Sequence, residues 1–446
     1  MKRRTFIRRA VQTTALAAGF PAVLHGLGGA AGAPPSERVG VAVAGVRGRG
    51  NNLLRTFAAI DEVEIRSIID IDVNVLRERT EEIVKETRHR PQALSDFRRA
   101  LDDRGVDALV LGTPDHWHAI PTILACQAEK DVYTEKPDGH NILESHAMVA
   151  AARRHKRVIQ LGTQSRSASP HLETIDWIRK GNLGKVRRAL AWESARQSNL
   201  GRPPDGEPPA GVDYDFWLGP APKRPFNPLR FHGNWRWFFD YGTGDVGNDG
   251  VHRLDYARWG LEAALEAQGE KLPRFPLAVS AHGGKYYFDD AQEWPDTLHV
   301  AFDYGNCLLG YEMRLWCPQP IHGIGEGAVV YGDRGYAVLS NGPCRVHGAD
   351  GKVIFERDGR NLDATDQHAR NFLACMRTRG RPAADLETVG HISSLLCHVG
   401  NVAWRVGRTV RYDIEKRTFP GDGEANRFLT RSEYRKPWEL PKVVEG

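Results

Sequence analysis

Short apolar runs alternate with stretches of helical periodicity along the first third of the chain. Runs of about four to eight apolar residues predict buried strands, and apolar residues recurring every three or four positions predict helices between them. The strands are predicted at Val39–Ala44, Val63–Ile71, Val106–Gly112, Asp131–Thr134 and Val158–Leu161, and the helices at Asn51–Ile60, Val73–Lys85, His116–Ala128 and Asn141–His155. This alternation is typical of a parallel sheet with helices on both faces.

The pattern changes after residue 163. Residues 196–230 are rich in Pro and Gly, and a connection of that length is usually either functional or disordered. The runs that follow indicate a second, mostly antiparallel sheet and a long helix. We predict strands at Leu298–Tyr304, Asn306–Leu315, Ala328–Tyr331 and Gly335–Leu339, and a final helix at about Leu386–Val406.

Positive charge is concentrated at the N-terminus. The chain has 446 residues and a formal net charge of +5. Residues 1–33 contain no acid and hold five basic residues, which are Lys2, Arg3, Arg4, Arg8 and Arg9. The remainder is therefore neutral overall, and nothing in its charge favours a nucleic acid or an anionic membrane as a partner.

The same segment has the pattern of a twin-arginine export signal. Arg3 and Arg4 precede a modestly apolar stretch, Ala10–Leu24, and small residues at 29–33 suit a cleavage site. The alternative is a short basic arm. The apolar stretch is too short and too rich in Gly and Ala for a stable membrane span. We expect residues 1–33 to direct the chain to the periplasm or out of the cell.

The six cysteines do not form a metal-binding pattern. No two of them are spaced as a CxxC pair, so neither a zinc site nor a redox motif is indicated. An exported protein can form disulfides. A chain this long can nevertheless bury a core without them, and we expect mostly buried thiols and no metal.

A glycine-rich turn at residues 45–50 follows the first predicted strand. Compared with the GxGxxG fingerprint, Gly45 and Gly50 occupy the first and last glycine positions, and Arg47 stands at the middle one. Backbone N–H groups at such a turn can hold a pyrophosphate. We expect Gly48 to belong to this cradle and Arg47 or Arg49 to add phosphate contacts. An ordinary strand–helix turn is the alternative interpretation.

Asp70 stands at the end of the second predicted strand. An acid at this position suits the ribose hydroxyls of NAD and repels the additional phosphate of NADP. Asp72 adds to that repulsion, so we expect NAD rather than NADP. Asp70 could instead simply cap a helix.

Further motifs give the chain its resemblance to a known family. It resembles the Gfo/Idh/MocA oxidoreductases in the glycine-rich turn, in Asp70 and in three later motifs. These are Thr113-Pro114 with His118, Glu135-Lys136-Pro137, and Gly162-Thr163-Gln164. The resemblance implies an α/β chain with an N-terminal Rossmann dinucleotide-binding domain over residues 38–163. An α/β substrate and oligomerisation domain over 164–446 would follow, whose large, mostly antiparallel open sheet packs against partner subunits in a homo-oligomer.

The resemblance also implies roles for particular residues. The family oxidises or reduces sugars and polyols with NAD(P), so a small carbohydrate is the expected substrate. Glu135 would approach the cofactor ribose, and Lys136 would approach the reacting hydroxyl. The resemblance implies that the nicotinamide side of the cofactor site is lined by Thr113, Pro114, His118 and Gln164.

Oxidation of a secondary alcohol needs a proton acceptor and gains from a cation near the developing oxyanion. Lys136 can supply the cation. The family pattern Asp-x-x-x-His appears here as Asn248 and His252. Asn248 can orient a hydroxyl but cannot take its proton, whereas His252 can. We therefore predict Lys136 and His252 as the catalytic pair and Asn248 as the orienting residue.

Neighbouring acids leave alternatives open. Asp255 could orient the His252 ring, and Asp245 or Asp249 could take over the role of the missing acid. The alternative for His252 is a buried, hydrogen-bonded histidine.

Aromatic and polar residues are interleaved over residues 232–241, a composition that suits a sugar. Trp235 and Arg236 are the expected contacts, with Asp249 and Arg166 as further candidates. The alternative is that these aromatic residues belong to the core.

Export constrains the reaction, because little free NAD is available outside the cytoplasm. Twin-arginine export carries folded proteins, so the cofactor can be loaded beforehand and recycled within each turnover. An oxidoreductase working on two sugars meets this requirement. A glycosidase or lyase acting through a transient keto-sugar meets it too, and a non-catalytic NAD- or sugar-binding protein is the third possibility.

Overall fold

The computed structural model describes residues 38–359 and 364–443. The predicted signal, residues 1–33, lies outside the described residues, so it stays a prediction. Across the described ranges, no helix combines the length and apolar character needed to cross a membrane.

The first domain is built on a six-stranded parallel sheet in the order β3-β2-β1-β4-β5-β6. Its order reverses between β1 and β4, and ligands of such sheets bind at that reversal. Each strand expected from the sequence is present within two residues, whereas the short β3 and α3 were missed. The elements are β1 (Val39–Ala44), α1 (Gly48–Ala58), β2 (Val63–Ile69), α2 (Val73–Glu86), β3 (Gln92–Leu94), α3 (Arg98–Leu101), β4 (Ala108–Leu111), α4 (Ala119–Gln127), β5 (Asp131–Thr134), α5 (Ile142–His155) and β6 (Ile159–Leu161).

The second domain is built on an eight-stranded sheet in the order β14-β13-β12-β11-β7-β10-β9-β8. Its described strand pairs are antiparallel apart from β7 with β10, which confirms the mostly antiparallel sheet. The strands are β7 (Val186–Ser194), β8 (Ala278–Gly284), β9 (Thr297–Asp303), β10 (Leu308–Arg314), β11 (Glu326–Gly332), β12 (Gly335–Leu339), β13 (Cys344–Gly348) and β14 (Val353–Arg357). The helices are α6 (Ser169–Arg179), α7 (Tyr214–Leu218), α8 (Val251–Ala267), α9 (Ala364–Thr378), α10 (His391–Val406) and α11 (Gly423–Asn426).

Helix α9 packs against the core of the first domain, although it lies within residues 164–446, the segment predicted as the second domain. Phe372 packs edge-on against Phe57 and Tyr133, with ring centroids 6.5 and 6.0 Å apart. Trp438, close to the end of the described chain, is also buried among first-domain residues. The apolar stripe of α9 thus finds its partner surface on α1 rather than on the second sheet.

The helix expected at 386–406 begins with a π-helical turn, Leu386–Gly390, and is not the last helix, because α11 follows.

The Pro-rich segment is ordered and reaches back to the first domain. We call residues 206–238 the strap. The Gly211 carbonyl accepts the Val73 amide at 2.9 Å, and the Asp213 amide donates to Ile71 O at 3.0 Å. The strap is therefore fixed to the chain where β2 leads into α2, beside the reversal in strand order.

Candidate active site

Three glycines bring α1 close to the sheet. Gly45 has φ +76°, and a Cβ on Gly50 would lie 1.6 Å from the Gly45 carbonyl oxygen. A Cβ on Gly112 would lie 2.5 Å from the Gly50 Cα. Helix α1 begins at Gly48, three residues before its expected start, and Arg47 makes no side-chain capping bond. The positive end of α1 is thus directed at the turn, where it fits a pyrophosphate.

Asp70 follows β2 directly and supports the turn. Its carboxylate accepts the amides of Val46 at 2.9 Å and Asp72 at 3.0 Å. Burial raises the pKa of Asp70, and the two backbone hydrogen bonds oppose that shift. The carboxylate also lines the cavity beside the turn, where it can meet ribose hydroxyls. The turn and this acid together fit NAD.

The cavity lies between the first domain and the strap. Gly45, Gly48 and Asp70 form one wall, and the other wall comes from the strap. Thr113, Pro114 and Arg47 line it as expected. The strap residues in the wall are Phe216, Trp217, His232, Trp235 and Arg236. The predicted sugar contacts Trp235 and Arg236 therefore share a cavity with the nucleotide turn, and the Arg236 guanidinium lies 5.4 Å from the centre of the Trp235 ring.

Glu135 and Gln164 do not line this cavity. The Glu135 carboxylate accepts Arg49 Nε at 2.8 Å and Gln164 Nε2 at 3.2 Å. Arg49 is thereby drawn toward the exit from the first domain, although part of it still lines the cavity. The three side chains brace the strand ends, and the ribose contact of Glu135 and the nicotinamide contact of Gln164 stay predictions.

His118 also differs from its expected role. Its ring is buried, with Nδ1 2.6 Å from Pro137 O and Nε2 2.8 Å from Thr113 O. Because both ring nitrogens meet backbone carbonyls, His118 positions the Thr113 and Lys136 segments and does not line the nicotinamide side.

Lys136 joins the two domains. Its Nζ donates to the backbone carbonyl of Asn248 at 2.5 Å and to Asn248 Oδ1 at 3.3 Å. Asn248 Nδ2 donates in turn to Asp249 Oδ2 at 2.9 Å. The amide of Asn248 is therefore fixed with its oxygen toward the ammonium, which agrees with an orienting role.

Asn248 lies in a π-helical turn, Val246–Gly250, that leads into α8. A Cβ on Gly250 would lie 2.6 Å from the Tyr311 hydroxyl oxygen, and one on Gly247 would lie 1.9 Å from Thr243 Oγ1. Close packing through these glycines accounts for the wide turn. The sequence suggested that Asn248 and His252 share one face of a regular α-helix. The π-helical turn changes that spacing.

His252 occupies the first turn of α8. Burial, followed by the Lys136 ammonium, holds the pKa of the ring well below its ordinary value. A neutral imidazole at neutral pH can accept a proton. This state agrees with the predicted role of His252, which stays a prediction.

The carboxylate of Asp255 and the guanidinium of Arg166 form an ion pair with each other. Arg166 Nε and Nη2 each lie 2.8 Å from an Asp255 oxygen, and Ser393 Oγ donates to the same carboxylate at 2.7 Å. The Arg166 side chain is 8% exposed. Asp255 therefore does not orient His252, and Arg166 is not a substrate contact. The sequence could not show this pair, because its members lie 89 positions apart.

A buried carboxylate cluster beside Asn248 was largely missed. Arg253 lies 2.5 Å from Glu326 and 3.4 Å from Glu193, and both Asp245 oxygens are buried without a hydrogen-bond partner. Burial raises the pKa of Asp245 to about 7 and that of Glu193 to about 10. Glu193 lies on β7, which the apolar pattern did not reveal. The cluster can store protons near the predicted reaction centre.

Two family models match the chain. The model described as "Oxidoreductase family, NAD-binding Rossmann fold" matches residues 39–163. The model described as "Oxidoreductase family, C-terminal alpha/beta domain" matches residues 188–273 and 355–440. The chain belongs to the Gfo/Idh/MocA family. This Gfo/Idh/MocA protein is thus an oxidoreductase-family member, and its NAD-binding Rossmann domain confirms the expected cofactor.

Curated relatives of this Gfo/Idh/MocA chain match it over a limited region. A "Glycosyl hydrolase family 109 protein 1" from Shewanella sp. (strain ANA-3) is 26% identical over 158 residues, 34% of either chain. The "Alpha-N-acetylgalactosaminidase" of Shewanella oneidensis is 25% identical over 158 residues, again 34% of either chain. The chain therefore spans about a third of the length of these curated relatives.

Solved structures match over most of the chain. An aldose-aldose oxidoreductase from Caulobacter crescentus, complexed with glycerol, has TM-score 0.63 and 18% identity, covering 84% of this chain and 99% of that one. A levoglucosan dehydrogenase in complex with NADH and levoglucosan has TM-score 0.64 and 17% identity at the same coverages. At these identities the likeness establishes the fold alone.

Proposed function

We propose that this Gfo/Idh/MocA chain oxidises a secondary hydroxyl of a sugar, polyol or glycoside, with NAD that stays bound and is regenerated in each turnover. The observation that carries the proposal is the contact between Lys136 Nζ and Asn248, 2.5 Å from the backbone carbonyl. It holds an ammonium where the NAD-binding domain meets the second domain. A cation at that junction suits a developing alkoxide.

The chain's own residues supply the proton and charge chemistry. Bound NAD would supply the hydride acceptor for the substrate carbon. Lys136 stabilises negative charge on the substrate oxygen, while neutral His252 takes the hydroxyl proton. Asn248, held between Lys136 and Asp249, orients the hydroxyl. In the reverse half-cycle a second carbonyl substrate takes the hydride, and His252 returns the proton.

Retention of the cofactor rests on the strap and on the predicted export. The strap supplies aromatic walls to the nucleotide cavity and is hydrogen-bonded to the first domain on both sides of Asp72. We propose that the protein is loaded with NAD in the cytoplasm and acts in the periplasm or outside the cell.

The first experiment is to release and quantify nucleotide from protein purified without added cofactor. About one NAD(H) per chain is expected, together with turnover of sugar pairs when no NAD is added. Folded protein without nucleotide would contradict the closed cycle.

A second candidate function is an NAD-dependent glycosidase acting through a transient keto-sugar. It is favoured by the named activity of the Shewanella oneidensis relative and by the proton-storing carboxylates near Asn248. The two functions differ at the C–H bond next to the carbonyl, which is broken only during elimination. Turnover in D₂O distinguishes them, because deuterium at that carbon of the product indicates the glycosidase.

A further inference from the structure

A second cavity lies behind the turn that carries Asn248 and shares no lining residue with the nucleotide cavity. It is enclosed by the start of α5, by one side of α10, by residues 239–243 and by the C-terminal segment 427–433. Its volume of about 370 Å³ falls within the range of small-molecule sites. Nothing in the proposed reaction uses this cavity.

Three arginines line the cavity, and most of their charge is not neutralised by carboxylates. Arg405 lies between the rings of Phe239 and Phe428, 4.3 Å from each ring centre, and makes no ion pair with any described residue. Arg427, at the mouth, likewise lacks an ion pair within the described ranges. Arg431 lies 3.3 Å from Glu144, but its Nη2 is buried without a hydrogen-bond partner.

The acids around the cavity cancel these cations only in part, because Glu293 and Asp240, which attract Arg405, are both shared with Arg224. Asp240 is paired with Arg224 at 2.8 Å, and Glu433 is exposed at the rim. The N-terminus of α5, a helix of 14 residues, also faces the cavity through Asn141 and Ile142. Its dipole favours negative charge there. The cavity is therefore suited to an anionic group.

Two side-chain acceptors on residues of the same wall have no hydrogen-bond partner among the described residues. Asn401 donates its Nδ2 to Thr243 O at 2.7 Å, which leaves its buried Oδ1 without a partner. His140 Nε2 lies 2.8 Å from Phe239 O, and burial holds the pKa of the ring well below its ordinary value. The neutral ring donates through Nε2, so its buried and unpartnered Nδ1 is an acceptor. Both acceptors suit a ligand that carries hydroxyl donors.

We propose that this cavity binds an anionic saccharide, whose acid group meets the arginines and whose hydroxyls meet His140 and Asn401. Trp294 and Phe239, with ring centres 4.7 Å apart, provide apolar surface for the C–H groups of a sugar ring. Thr243 belongs to the cavity wall and lies just before the turn that carries Asn248, Val246–Gly250. Its hydroxyl and its amide both donate to Asp115. The site is additional to the proposed substrate site.

Calorimetric titration of the full-length protein with glucuronate and with glucose 6-phosphate tests the proposal. Binding of one saccharide per chain is expected, tighter than that of glucose or inorganic phosphate, and the tighter of the two probes identifies the acid group. Arg405→Gln and Arg427→Gln should each weaken binding by about tenfold or more. Arg411→Gln removes an equally exposed charge from outside the cavity and should leave binding unchanged.

Lys136→Ala separates this site from the proposed catalytic site. Binding that persists in Lys136→Ala and falls in Arg405→Gln supports the second cavity, whether or not the enzyme turns over sugars. Three results would overturn the proposal: no binding of either probe, equal losses in the Arg405 and Arg411 variants, or phosphate binding as tight as that of the sugar phosphate.

Discussion

The Lys136 ammonium is held by two oxygens of a single residue, Asn248. An ammonium has three N–H donors, so this contact leaves one for a substrate oxygen. The arrangement also explains how an asparagine can stand where the family has an acid. It fixes the cation without neutralising it, and the proposed mechanism therefore assigns the proton to His252.

Lys136→Ala is expected to lower kcat by about a hundredfold or more, because the developing alkoxide loses its cation. Bound NAD should stay at the wild-type level, since Lys136 does not line the nucleotide cavity. Single-turnover absorbance at 340 nm measures the rate, and Lys156→Ala is the surface control. An unchanged rate would show that the Lys136 ammonium takes no part in the chemical step.

Asp245 gives stability an unusual pH dependence. Its folded pKa of about 7 lies above the ordinary 3.8, so the folded chain holds more protons between these values. Stability therefore falls as pH rises through this window. The raised pKa of Glu193 contributes a decline of the same sign.

Asp245→Asn should remove the part of this decline that falls between pH 4 and 7. We compare the urea midpoints of the variant and the wild type at two pH values. The excess of the variant over the wild type is expected to be larger at pH 7.5 than at pH 4.5. Asp61→Asn, at a side chain that is 73% exposed, should follow the wild-type curve. Parallel curves for Asp245→Asn and the wild type would show that the carboxylate is already ionised in the folded chain.

Residue roles could be predicted where the partners are close in sequence. The glycine turn and Asp70 lie within one βαβ unit, so their spacing alone places them at one cavity. Arg166, Glu135 and His118 are governed instead by partners from other segments, or by backbone carbonyls that no side-chain pattern reveals. The sequence shows which side chains carry charge and can form hydrogen bonds. It does not show which partners these side chains meet in the folded chain.

At the scale of elements, the strap connects the nucleotide cavity with the segment that leads to Asn248. It leaves the second domain, pairs with the chain around Asp72, and returns through Trp235 and Arg236 toward the π-helical turn that carries Asn248. Gly219 in the strap lies against the first-domain ring of Trp117, and a Cβ there would be 2.3 Å from that ring.

Gly219→Ala should therefore loosen the strap and speed NAD dissociation by about tenfold, since overpacking of this size costs about 1–3 kcal/mol. Trp117 cannot easily yield, because Phe216 and Trp438 pack against it. Gly201→Ala is the matched control, with φ +70° and no atom within 4 Å of the added Cβ. Release into an NAD-trapping enzyme measures the rate, and equal rates in both variants would contradict a retaining strap.

The sequence revealed the elements of the first domain better than those of the second. Parallel buried strands are nearly continuous apolar runs, so β1, β2, β4 and β5 were evident. Strand β7 carries Arg187 and Arg188 near its start and Glu193 near its end, and it pairs with β10 and β11, more than a hundred positions away. Strand β14 is largely exposed, and its pattern does not identify a buried face.

At the scale of the whole molecule, cofactor loading and export should be separable. Replacing Arg3 and Arg4 by lysine is expected to leave the protein in the cytoplasm with its full content of NAD, because the residues that line the nucleotide cavity begin at Ala44. Cell fractionation and nucleotide release measure the two properties. Export of the variant at the wild-type level would refute the twin-arginine assignment.

The position of α9 has a consequence for the order in which the protein matures. The ribosome makes the glycine turn early, but the helix that covers Phe57 and Tyr133 emerges only after the whole second sheet has been synthesised. A nascent chain therefore keeps an open apolar face on its first domain through most of translation. We expect firm nucleotide capture only after the C-terminal segment has docked, so that an incomplete chain would carry no cofactor.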